Sequence, residues 1–305
     1  MSNKPELSVT IAGLRLQNPV IAASGTFGYG REYAEIIDVS RLGGICTKGL
    51  TLNPRPGNTG IRIWETPSGL LNSIGLENPG IPAFIDNELP HLRSLGPAVI
   101  ANLSGSTVEE YAGGAALLNA SSVDMVELNI SCPNVEAGGM TFGLDPRAAA
   151  PVAAAVRRAL NGKPLMVKLS PNAPDLIAVA RACLNAGADA LSLVNTFKAM
   201  AIDLQNHRPV FDNVSAGLSG PAIKPIALRM VWELCDEFKS VPVAGMGGIA
   251  CADDALEFLA AGATAVQVGS ATFARPQTMP EIIEGIENYM HRLGIASVEE
   301  IPIRR

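Results

Sequence analysis

Eight short aliphatic runs, each followed by a longer segment, constrain this chain more than any other feature. They are Val20–Ala23, Gly44–Lys48, Ala98–Asn102, Met125–Asn129, Leu165–Leu169, Ala190–Asn195, Val241–Gly245 and Ala265–Gly269. Most are continuously apolar rather than alternating, as strands buried on both faces are. Helical spacing of apolar residues marks Thr107–Asn119, Pro146–Leu160, Ala173–Ala186, Ala222–Phe238, Ala252–Ala261 and Pro280–Leu293. Pro221 stands just before one of these, where proline suits a helix start. Gly187 and Gly262 sit where helices end and lead into strands.

Such alternation without a break in composition predicts an α/β fold, a single (β/α)8 TIM barrel domain over residues 1–305. Leu7–Gln17 reads as an N-terminal β-hairpin turning at Ala12-Gly13 and capping the closed end of the barrel. Two long insertions, Thr51–Pro97 after the second strand and Phe197–Pro221 after the sixth, belong at the C-terminal face. Barrel active sites are built there, and long connections in compact domains are usually functional.

Composition narrows the function classes. Hydrophobic residues at 48% against 17% charged support a large core and exclude a disordered chain. A net charge of −6 with 5% aromatics disfavours nucleic-acid binding. No apolar run approaches the ~18 residues of a membrane helix, and MSNKPELSVT lacks the pattern of a signal peptide, so a cytoplasmic protein is expected. The five cysteines, Cys46, Cys132, Cys183, Cys235 and Cys251, are odd in number and show no C-x-x-C spacing. They read as thiols in a reducing compartment, not as ligands of zinc or an iron–sulfur cluster.

Polar residues and glycines gather where the strands end. Ser24 follows the first strand, Lys48 and Gly49 the second, Asn102 the third, Asn129 and Cys132 the fourth. Lys168 ends the fifth, Asn195 and Thr196 the sixth, Gly247 and Gly248 the seventh, Gly269 and Ser270 the eighth. The glycines after the seventh and eighth strands fit either ordinary tight turns or the phosphate site that barrels build there. The two lysines belong at the rim, in water or facing an anionic ligand or the edge of a reduced flavin. Cys132 lies beside Pro133 in a loop and reads as an accessible thiol, whereas the other four cysteines read as small core residues. His91, His207 and His291 stand at no strand end, which leaves a Cys–His nucleophile or a histidine metal site without support.

The segments TKGLTLNPRPGN (47–58), LNSIGLENPG (71–80), ELNISCPNV (127–135), MVKLSPN (166–172), LVNT (193–196), AGLSGPAIKP (216–225) and AGMGGI (244–249) resemble dihydroorotate dehydrogenases of class 1B. The resemblance spans nearly the whole chain in the order of that family. It implies an FMN-containing barrel that oxidises dihydroorotate to orotate in pyrimidine synthesis. Cys132 then resembles the general base at C5 of the substrate, with hydride leaving C6 for the flavin. Lys168 resembles the lysine beside the pyrimidine edge of the flavin, and Lys48 the one shared with the orotate carboxylate. Asn72, Ser73, Ile74, Gly75, Leu76, Asn129, Asn195 and Thr196 resemble the substrate-binding set. Ser24, Gly49, Asn102, Val194, Gly220, Gly247, Gly248, Gly269 and Ser270 resemble FMN contacts. Ala216 departs from the glycine common in relatives.

Class 1A enzymes reduce fumarate as dimers, while class 1B enzymes pass electrons to NAD through a second subunit carrying FAD and an iron–sulfur cluster. The stretch Thr51–Pro67 favours 1B. The resemblance therefore implies an electron-transfer partner, in a heterotetramer of two catalytic and two electron-transfer subunits. A flavin barrel acting on another dihydropyrimidine or on dihydrouridine, and a non-enzymatic ligand-binding barrel, are the alternatives; the acidic balance argues against a tRNA substrate.

Overall fold

The computed structural model of the protein describes residues 4–131 and 139–301. All eight expected barrel strands form: Val20–Ala22, Gly44–Cys46, Ala98–Leu103, Met125–Asn129, Leu165–Lys168, Ala190–Leu193, Val243–Met246 and Ala265–Val268. They close into one barrel in which each strand pairs in parallel with the next in sequence and the eighth pairs with the first. Parallel neighbours need a crossover connection, and helices along the chain supply it. The seventh strand starts at Val243 rather than Val241, just past Pro242, which has no N–H to give a ladder.

The helices begin where local chemistry caps them. The Thr107 hydroxyl accepts from Glu110 N at 3.2 Å and opens Val108–Ala120. Asp145 accepts from Arg147 N at 2.8 Å ahead of Pro146–Ala159. Asp175, following Pro174, accepts from Ala178 N at 2.9 Å, so that helix runs Leu176–Asn185 instead of starting at Ala173. Their inner faces join the barrel in a continuous apolar core that includes Ile21, Ile45, Val126, Val156, Leu234 and Ile282. Each such side chain contributes about 1.5–3 kcal/mol on leaving water.

Val9–Ile11 and Leu14–Leu16 form the N-terminal hairpin. Its turn places Ala12 at φ 49° and Gly13 at φ 81°, the left-handed pair that suits the twist of a two-residue hairpin. Asn18 then ties the chain to Arg41 O at 2.7 Å, beside the start of the first strand.

The two insertions meet. Ile63–Thr66 and Gly69–Asn72 from the first pair with Phe197–Ala199 and Ala216–Ser219 from the second. They make one antiparallel sheet in the order Phe197–Ala199, Ala216–Ser219, Gly69–Asn72, Ile63–Thr66. Leu71 faces Leu218 in register, and Leu71, Phe211 and Ala216 form a small apolar cluster of their own. Residues 81–94 are helical and complete the connection to the third strand.

Candidate functional site

One pocket opens at the ends of the barrel strands, roofed by residues of the inserted sheet. Ser24, Lys48, Gly49, Asn129, Lys168, Val194, Asn195 and Thr196 line it from the strand ends. Asn72, Ile74, Gly75 and Leu76 reach it from the first insertion, Gly220 from the second. Gly247, Gly248, Gly269 and Ser270 line it from the last two loops. Two other expected contacts stand behind this wall. Ser73 is buried, and its hydroxyl accepts from Asn58 Nδ2 at 3.0 Å. Asn102 is fully buried against other side chains of the barrel. Cys132 lies outside the described residues; Ser131, immediately before it, is described.

The floor of the pocket rests on a group that the motifs did not single out. Glu127, in the fourth strand, is completely buried. Its Oε2 accepts from Gln267 Nε2 at 2.6 Å and from Ser192 Oγ at 2.8 Å. Its Oε1 accepts from Asn102 Nδ2 at 2.7 Å and from Cys46 Sγ at 3.3 Å. Cys46, Glu127, Ser192 and Gln267 come from the second, fourth, sixth and eighth strands. Alternate strands of a (β/α)8 barrel supply the side chains of one interior layer, and here that layer is polar. The sequence signal was available: a polar residue stands inside each of MVELN, ALSL and AVQV. A charge in a strand buried on both faces has only the barrel interior in which to find partners.

Of the two settings expected for Lys168, water at the rim or the face of a ligand, its place in the pocket lining fits the second. Lys168 is 5% exposed, with its ammonium 3.8 Å from Glu127 Oε1. The register that sets Asn129 beside Lys168 brings the two side chains inward on adjacent strands. Burial would raise the Glu127 pKa, but the Lys168 charge and the bonds from Gln267, Ser192 and Asn102 outweigh it and hold the carboxyl below the usual range. Burial and the adjacent Glu127 charge push the Cys46 thiol the other way, well above the usual range.

A line of amides runs from this layer to the sixth strand. Asn102 Oδ1 accepts from Asn129 Nδ2 at 3.2 Å. Asn129 Oδ1 accepts from Ser131 N at 3.1 Å and from its hydroxyl at 2.9 Å. Asn195 Nδ2 donates to Ser131 Oγ at 2.8 Å, while its Oδ1 accepts from Thr196 N. The backbone leading to Cys132 is thus held from two strands.

Lys48 is partnered from the first insertion. Glu77 Oε2 lies 3.7 Å from its ammonium and accepts from Arg62 Nη1 at 2.7 Å. The Arg62 bond, then the Lys48 charge, lowers the Glu77 pKa. In the seventh loop, Gly247 has φ 122° and Gly248 φ 75°. A Cβ at Gly247 would stand 2.7 Å from Ala227 Cβ and 3.0 Å from Val194 Cγ2; at Gly248 it would stand 2.9 Å from Gly220 O. These glycines let the loop pack directly on Lys224–Glu237 and on the Gly220 turn. Asp254 fixes the end of the same loop by accepting from Ala250 N at 2.9 Å and pairing with Lys224 at 2.6 Å.

Among the cysteines expected in the core, Cys46 and Cys183 are buried and Cys235 is partly so. Cys251 is exposed, because it precedes the first turn of Ala252–Ala260 in extended backbone. No helix among the described residues is long and apolar enough to cross a membrane.

A family model described as dihydroorotate dehydrogenase matches residues 6–290. The chain is 55% identical over 296 residues to the dihydroorotate dehydrogenase B (NAD(+)) catalytic subunit of Petrotoga mobilis, covering 97% of this chain and 98% of that one. It is 55% identical over 299 residues to the catalytic subunit of the same name from Geotalea daltonii, covering 98% and 97%. The corresponding protein of Caldicellulosiruptor bescii is 52% identical over 295 residues, covering 97% of each.

Proposed function

The chain belongs to the dihydroorotate dehydrogenase family, and from that premise we propose that it is the catalytic subunit of an NAD-linked dihydroorotate dehydrogenase. It oxidises dihydroorotate to orotate in pyrimidine biosynthesis. One observation carries the reading: a buried ammonium, Lys168, and two strand-end amides, Asn129 and Asn195, converge on one pocket beneath a sheet built from both insertions.

The donor set fits FMN. Lys168 offers a cation at the floor, and Gln267, also lining the pocket, has its Oε1 buried with no partner of its own. Glycine backbones after the seventh and eighth strands admit a phosphate group. In this reading Ser24, Gly49, Asn129, Lys168, Val194, Gly220, Gly247, Gly248, Gly269 and Ser270 hold FMN, with Asn102 fixing Asn129 from behind. Bound there, FMN supplies the hydride acceptor.

The protein supplies the proton chemistry and the orientation. Cys132 removes the proton from C5 of dihydroorotate, a carbon acid made acidic by the neighbouring carbonyl, which demands a well-placed base. Lys48 pairs with the carboxylate of the substrate. Asn72, Asn129, Asn195 and Thr196 donate to and accept from the ring, whose imide and carbonyl groups present both functions. Ser73 supports the segment Ile74–Leu76 through Asn58 rather than reaching the substrate itself.

Electrons leave for NAD through a partner subunit carrying FAD and an iron–sulfur cluster, in a heterotetramer of two subunits of each kind in the cytoplasm. Apolar side chains at the pocket mouth support a protein partner: Ile63 and Phe273 line the pocket and are 50% and 52% exposed. The test is spectroscopic. The chain purified with FMN should lose its visible flavin absorbance on anaerobic addition of dihydroorotate but not of dihydrouracil. A spectrum that dihydroorotate leaves unchanged overturns the reading.

A further inference from the structure

We propose that Glu127 is a positioning residue of the pocket: from behind the floor it holds the Lys168 ammonium and turns the Gln267 amide so that its carbonyl, not its NH2, faces the ligand. This rests on the reading that the pocket takes FMN. Glu127 does not line the pocket and is completely buried, so no ligand touches it. It acts only through groups that do line the pocket, Lys168 at 3.8 Å and Gln267 at 2.6 Å.

The orientation of Gln267 follows from chemistry. An ionised carboxylate has only acceptors, so an amide packed against it must present its NH2. Gln267 Nε2 is thereby committed to Glu127 Oε2. The other end, Oε1, is left buried and unpaired on a residue that lines the pocket. A buried acceptor without a partner is costly, and a ligand N–H is the group that relieves it. Oxidised flavin carries a single ring N–H beside its carbonyls. The Lys168 cation and the Gln267 acceptor thus present the complementary pair to such a ring edge.

Glutamine at position 127 cannot do the same work. It has one carbonyl and one NH2, whereas both carboxylate oxygens of Glu127 accept from donors on either side. Whichever way the new amide lies, its NH2 meets Gln267 and Ser192 or meets Asn102. The lost negative charge also leaves Lys168 without its counter-ion. A flavin gains negative charge on reduction, so reduction becomes easier.

The experiment measures FMN affinity by fluorescence titration and the midpoint potential of the bound flavin by spectroelectrochemistry. In E127Q the midpoint potential should rise, and in E127D, which keeps the charge, it should return toward wild type. In Q267M the amide is lost with little change in volume, and FMN affinity should fall about fivefold, the effect of one hydrogen bond. An unchanged potential in E127Q, or an equal rise in E127D, overturns the assignment. Where E127Q fails to fold, Q267M decides it, and unchanged affinity there overturns it. A wild-type chain that binds no FMN overturns the reading of the pocket, and this assignment with it; wild-type binding matched by the variants overturns the assignment alone.

Discussion

Asn195 Nδ2 donates to Ser131 Oγ across 2.8 Å, joining the end of the sixth strand to the residue just before Cys132. The same hydroxyl donates to Asn129 Oδ1 at 2.9 Å. Ser131 is fully buried, so it acts by fixing the backbone that leads to Cys132. Ser131→Ala should therefore lower kcat with dihydroorotate by about tenfold or more, since small displacements of a catalytic group are expensive. FMN affinity should stay near normal. A kcat equal to wild type would show that the clamp does not position the base.

Cys132→Ala should leave FMN bound but slow flavin reduction by roughly two orders of magnitude or more, the share of a positioned general base. Cys132→Ser should recover activity only at higher pH, because a hydroxyl is a weaker acid than a thiol. Stopped-flow traces of flavin bleaching against pH measure both, and near-normal reduction in the alanine variant would exclude the role.

The glycines of the last two loops should respond differently. At Gly269 a Cβ would have no protein atom nearer than Ala23 Cβ at 3.6 Å, so Gly269→Ala should keep near-normal stability and, because Gly269 lines the pocket, should weaken FMN binding instead. At Gly247 it would meet Ala227 at 2.7 Å with φ at 122°, so Gly247→Ala should cost about 1–3 kcal/mol of stability. A side chain at Gly247 presses on the helix behind the loop before it obstructs any phosphate. Denaturant midpoints separate the two variants, and equal midpoints would contradict the packing described.

Glu127 should leave a signature in acid. Its folded-state pKa lies below the ordinary 4.5. The stability gained from its ionised, bonded form is therefore complete above that value and is lost as pH falls through the folded pKa. Glu127→Gln should destabilise the chain by roughly 3–5 kcal/mol at pH 7, the cost of breaking a buried pair. The gap to wild type should narrow below about pH 4.5. Urea midpoints measured across this range check it, and a gap that stays constant with pH would rule out an ionised Glu127.

The isolated chain should reduce an artificial dye with dihydroorotate but reduce NAD slowly. Co-expression with its electron-transfer subunit should restore rapid NAD reduction and yield a stable hetero-oligomer. Fast NADH formation by the purified chain alone, or efficient turnover with fumarate, would defeat the proposed route.

The sequence by itself determined the barrel. Strands buried on both faces are mostly apolar along their length, and runs such as Val20–Ala23 and Val241–Gly245 declare themselves by that alone. Strand ends in this fold share one rim, so Lys48, Asn129, Asn195 and Gly248 could be assigned to one pocket without knowing any distance. Capping residues shortened the helix expected from Ala173, a local effect legible in Pro174 and Asp175. Only the tertiary structure decided that Cys46, Glu127, Ser192 and Gln267 meet in a single layer. Those residues lie on four strands spread over more than two hundred positions, and closure of the sheet is what brings them together. It also decided that Lys168 sits inside against Glu127 rather than in water, and that the two insertions pair as one sheet. Periodicity reports which way a side chain faces; which groups it meets across the barrel depends on register and closure, and these exist only once the chain is folded.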